Sequence, residues 1–153
     1  MGNVNWTRIV LGGLLAGVII DISETLINGV LFADAWSNAM VALGRPAQIS
    51  AFGLALFNIW GLGIGIMTVW LYSAIRPRFG PGPKTAILAA LATWVVGYAL
   101  AGVTPVATGM APKRLMATIT SLGLIEIIVA TLAGAAIYKE EAAPQARSAA
   151  AGR

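Results

Sequence analysis

Three carboxylic side chains, Asp21, Glu24 and Glu126, interrupt stretches of sequence that are otherwise free of charge. A carboxyl group in apolar surroundings can hold and release a proton, act as a general acid or base, or bind a cation. An ionised carboxylate at the centre of a membrane helix costs about 2.5 to 3.5 kcal/mol to insert, so three of them call for compensation. No Lys or Arg lies between Arg8 and Arg45, or between Arg114 and Lys139. Arg8 is roughly 20 Å from Asp21 along a helix, beyond the reach of its side chain. Two states remain: neutral carboxylic acids, or carboxylates lining a hydrated cavity and awaiting an external cation. Both describe a site that exchanges charge with something. The competing reading is structural, with neutral acids donating hydrogen bonds between helices. Such contacts contribute only about 0.6 kcal/mol on average, little against the insertion cost.

The spacing around these acids says which helical faces must carry them. Gly13, Gly17, Asp21, Glu24 and Asn28 recur at steps of three and four and share one face. The opposite positions, Ile19, Ile20, Ile22 and Leu26, suit lipid. Asn58, Gly61, Gly65, Thr68 and Tyr72 form a second stripe of this kind, and Gly123, Glu126, Ala130 and Gly134 a third. Gly13, Gly17, Gly61, Gly65, Gly123 and Gly134 would let backbones approach closely, while Asn28, Asn58, Thr68 and Tyr72 would line a polar interior. Asp21 and Glu126 fall near the middle of their spans. Glu24 sits roughly 5 Å further out, at the depth expected for Asn58, so these four residues can be neighbours.

The elements that position them follow from composition. Of 153 residues, 58% are hydrophobic and 10% charged, against roughly a quarter charged in a soluble domain, and mean hydropathy is +0.83. Apolar spans fall at about 9–32, 50–75, 84–103 and 114–138. The predicted fold is an all-α membrane protein, an up-down four-helix transmembrane bundle filling residues 1–141, with 142–153 as a disordered cytoplasmic tail. A signal peptide is disfavoured, because Asp21, Glu24 and Asn28 break the first apolar stretch. Residues 33–49 have room for a short interfacial helix. Pro77 is expected to stop the second span, and 104–113, with Pro105, Gly109 and Pro112, to form a turn.

Arg8, Arg76, Arg78, Lys84, Lys139, Arg147 and Arg153 share one side, against Arg45, Lys113 and Arg114 on the other. The positive-inside rule then places both termini in the cytoplasm, with a bacterial inner membrane as the expected location. Trp6, Trp36 and Tyr138 suit the headgroup level. Trp60 and Trp94 lie deeper, where packing is their simplest role.

Cys and His are absent, which removes thiolate nucleophiles, imidazole bases and the usual zinc sets; no metal site is predicted, and no cofactor is named. Gly61-x-Gly63-x-Gly65 lies inside an apolar helix and is no phosphate cradle. The scattered basic residues form no nucleic-acid patch. Only the carboxylates, Tyr72 and Tyr98 could serve an enzyme as acids or bases, so catalysis is the weaker expectation. The favoured function is a proton-coupled transporter or ion-conducting protein, with Asp21, Glu24 and Glu126 binding protons or a cationic or lipophilic small molecule. The alternative is a non-catalytic structural or lipophilic-ligand-binding subunit of a larger membrane complex. Besides the lipid bilayer, the expected partners are further copies of the chain or other subunits, invited by the small-residue faces.

Overall fold

The computed structural model describes residues 4–139; the expected tail, 142–153, lies outside them. Helix α1 (Trp6–Leu26) starts where Asn5 Oδ1 accepts the Arg8 N–H at 3.0 Å, satisfying one of the free donors of the first turn. It runs on as a π-helical stretch, Ile27–Leu31, and a short helix α2 (Ala33–Ala42) follows in the connection where sequence left room for one. Helix α3 (Ala51–Phe79) is capped by Ser50, whose Oγ accepts the Gly53 N–H at 3.1 Å. Helix α4 opens with a proline at its first position (Pro83–Trp94), where the missing N–H would have no intrahelical partner anyway. It too widens into a π-helical stretch, Val95–Leu100, before the short α5 (Val103–Ala107). Helix α6 (Lys113–Ile137) is the last.

As continuous runs, Trp6–Leu31, Ala51–Phe79, Pro83–Ala107 and Lys113–Ile137 are 25 to 29 residues long and apolar enough to cross a bilayer. No strand occurs among the described residues. Helix α1 packs on α3 and α6, and α4 packs on the same two; α3 and α6 also touch, over a smaller area. The core between them is made of small and β-branched side chains, among them Ala16, Val69, Ala89, Ala90, Ile127 and Ala130, all at most 0% exposed. Large apolar side chains such as Ile22, Phe52, Val96 and Ile125 face outwards, the inverse of a water-soluble surface and the pattern of an integral membrane protein.

Three expectations are corrected. Helix α3 passes through Pro77 and ends at Gly80, whose φ of 82° supplies the left-handed stop. Pro77 lies so near the end that its missing N–H removes a single hydrogen bond, and its own φ is already helical. The third span continues to Ala107 instead of turning at Thr104, because Pro105 falls in the first turn of α5, where no intrahelical donor is needed. Ile20 is fully buried, not turned to lipid. Helix α1 is gripped on two sides, by α3 and α6, so the face it buries is wider than its glycine stripe.

Candidate functional site

Glu126 lies on the buried face of α6 and is only 5% exposed. Its Oε1 accepts a hydrogen bond from the Tyr98 hydroxyl at 2.7 Å, while its Oε2 is buried with no partner among the described residues. Tyr98 comes from the π-helical stretch of the third span. The wider turn there displaces side chains from the positions a regular helix would give them, and such turns recur at functional sites. The ring stands over Gly123, where an added Cβ would come within 2.7 Å of it. Gly123→Ala should therefore destabilise the protein by about 1 to 3 kcal/mol through overpacking. Most of that loss should vanish in a Tyr98→Ala background, a coupling that a double-mutant cycle in chemical unfolding measures.

Glu24 is half-buried on α1, and its Oε2 accepts a hydrogen bond from Asn28 Nδ2. Asn28 Oδ1 accepts in turn from the indole Nε1–H of Trp36, at 2.9 Å. The amide is thus held from both ends, and α2 is fastened to the site by Trp36. Trp36→Phe should free the Asn28 amide at a cost of about 0.5 to 1.5 kcal/mol, read as a lower midpoint of chemical unfolding with the helical content unchanged. Asp21, also half-buried, lays its carboxyl group in the space beside Gly61 that any side chain there would fill. Glu24 and, more weakly, Asp21 are near enough to Glu126 to act on it through their charges; no basic group does so. Among the described residues no three carboxylates converge closely enough to form a metal-ligand set.

Above these acids lies an open cavity of about 200 Å³, bordered by Glu24, Asn28, Trp60, Tyr98, Pro105 and Met116 among others. The Trp60 and Tyr98 rings meet edge to face, with centroids 5.7 Å apart and planes at 61°. All the bordering residues come from the helix halves remote from Val4 and Lys139, so the cavity occupies that half alone. Towards the other end the core closes. Val69, Ile127 and Ala130 are fully buried, and Thr68 Oγ1 joins Thr131 Oγ1 at 2.9 Å and Thr93 Oγ1 at 3.2 Å.

Of the residues singled out from sequence, Glu24 and Asn28 border the cavity, Glu126 is bonded to its Tyr98 wall, and Asp21 lies beside Gly61. Asn58 is exposed, and its amide donates to the Leu54 carbonyl of its own helix. Thr68 belongs to the threonine trio below the acids. Tyr72 sits at the opposite end, where its hydroxyl accepts the Gly82 N–H at 3.2 Å and its ring meets Tyr138 edge-on.

The glycines fall into two kinds. Gly13 lies against Ile66, Gly17 against Leu62, Gly65 against the backbone of Gly13 and Gly17, and Gly134 against the Gly12 carbonyl. Gly61 and Gly123 instead make room for polar side chains, Asp21 and Tyr98. Both kinds are used in packing within the chain. Tyr98, Trp36 and Trp60 were not singled out as site residues. The usable signal was Tyr98 itself, since a phenol deep in an apolar span needs a hydrogen-bond partner. Comparison with family models, with curated proteins and with solved structures finds no match for this chain.

Proposed function

We propose that this chain is a proton-coupled transporter or ion-conducting protein of the bacterial inner membrane, with both termini cytoplasmic and Glu126 as its proton-binding group. Asp21 and Glu24 modulate that group and attract cations to it. The observation that carries the reading is the unpartnered Glu126 Oε2. Ionised, Glu126 is a buried charge with two further acids acting on it; protonated on Oε2, it is a hydroxyl without an acceptor among the described residues. Neither state is fully satisfied by the protein, so the group is suited to change state as protons or cations arrive. Buried acids of this type mark proton relays and ion pathways in membranes.

The one-sided cavity supports the same reading. The cavity opens in the half remote from Val4 and Lys139 and reaches Tyr98, the hydrogen-bond partner of Glu126, while packing closes the other half, the asymmetry that alternating access requires.

The test is an infrared pH titration of the protein in lipid, following the protonated-carboxyl stretch. Wild type should show a band that rises and falls reversibly with pH and is lost in Glu126→Gln. A carboxyl band that never responds to pH would mean sealed structural acids and end the proposal.

A further inference from the structure

Resting on that reading, we infer that the cavity binds a small organic cation of the tertiary or quaternary ammonium class, with Glu24 as countercharge and the Trp60 and Tyr98 rings as walls. Sign comes first. The cavity is bordered by one acid and no Lys or Arg, and Glu126 is bonded to its Tyr98 wall, so an anion is repelled.

The chemistry of the lining then separates organic from inorganic cations. Hard metal ions need several oxygen ligands at once. Here the Asn28 oxygen is engaged by Trp36, the Thr120 carbonyl accepts the Trp94 indole N–H at 2.8 Å, and the Tyr98 hydroxyl donates to Glu126. Among the side chains what remains is the Glu24 carboxyl and one hydroxyl, that of Thr120, among aromatic and aliphatic groups, too few oxygens for a hard metal ion. A diffuse ammonium charge is stabilised by indole and phenol rings within about 6 Å of its centre, and its methyl groups by apolar contact. Size sets the last limit: about 200 Å³ is below the roughly 300 to 1,000 Å³ typical of sites for drug-sized ligands.

The test is equilibrium dialysis of radiolabelled tetramethylammonium against the full chain in lipid nanodiscs, with a pH-indicator dye reporting proton release. Saturable binding is expected, outcompeting K⁺. Trp60→Ala and Glu24→Gln should each weaken it by about tenfold or more. Trp60 is 41% exposed and Glu24→Gln keeps the side-chain size, so both variants should fold, which unchanged melting checks. No saturable binding, equal competition by K⁺, or affinity unmoved by Trp60→Ala overturns the inference. Binding without proton release keeps the ammonium site and sinks the proton coupling. A Glu126 carboxyl that titrates in a protein with no affinity for tetramethylammonium does the reverse.

Discussion

Gly65→Leu should abolish recovery of folded protein, whereas Gly63→Leu, two residues away and on another face of the same helix, should leave yield and stability near those of wild type. A Cβ at Gly65 would run into the Gly17 backbone nitrogen and the Gly13 carbonyl oxygen. Overpacking commonly costs about 1 to 3 kcal/mol when neighbouring side chains can turn aside. Here the obstacle is backbone, so α1 and α3 must separate and lose their shared interface. The loss should exceed about 4 kcal/mol, a large share of the roughly 5 to 15 kcal/mol that holds a typical protein folded. At Gly63 an added Cβ meets nothing within 4 Å, and leaving glycine favours the helix by up to about 1 kcal/mol. Monodisperse yield and the midpoint of unfolding in denaturing detergent would report both. Equal damage at the two positions would refute the interlocked arrangement of α1 and α3.

The second large effect concerns transport. In vesicles carrying opposed gradients of protons and tetramethylammonium, Glu126→Gln should reduce proton flux by about 100-fold or more, the scale on which a positioned acid or base contributes. Glutamine preserves the volume and can still accept the Tyr98 hydrogen bond, so a loss of flux reports the missing ionisable group and not a collapsed core. Tyr98→Phe makes the complementary change. It keeps the carboxyl but removes the Tyr98 hydrogen bond to Oε1, at a cost of about 1 to 3 kcal/mol for the oxygen left unpaired, and flux should fall less than in Glu126→Gln. Wild-type flux in both Glu126→Gln and Asp21→Asn would exclude the carboxylates from transport. Loss confined to Glu24→Gln would move the proton site to the cavity wall.

Four apolar spans were legible from the chain because each depends on composition summed over many residues, which single exceptions do not overturn. Helix ends depend on single residues, and there the competition between Pro77 and Gly80 went to the residue able to adopt a left-handed backbone. The similar depth of Asp21, Glu24 and Glu126 was readable from their places in the spans, since antiparallel helices of similar length bring their midpoints level. Tyr98 was not readable as their partner. The π-helical stretch Val95–Leu100 breaks the 3.6-residue period by which faces are assigned, so the direction of its side chains cannot be extrapolated from Ala86, Ala89 and Ala90 before it. Asn58 misled for a simpler reason: an amide near a helix end can bond back to its own carbonyls, and so need not face inwards to be satisfied.

The closest backbone contacts, Gly12 with Gly134 and Gly65 with Gly13 and Gly17, gather in the middle and in the half that holds Val4 and Lys139. Around the cavity the helices meet through side chains instead, and the third span is loosened there by its π-helical turn. Stiffness is therefore graded along the molecule: a clamped base and a compliant mouth, built like tweezers. Tightening at the mouth would change the distance between Glu24 on one arm and Tyr98 on the other while leaving the glycine clamp undisturbed.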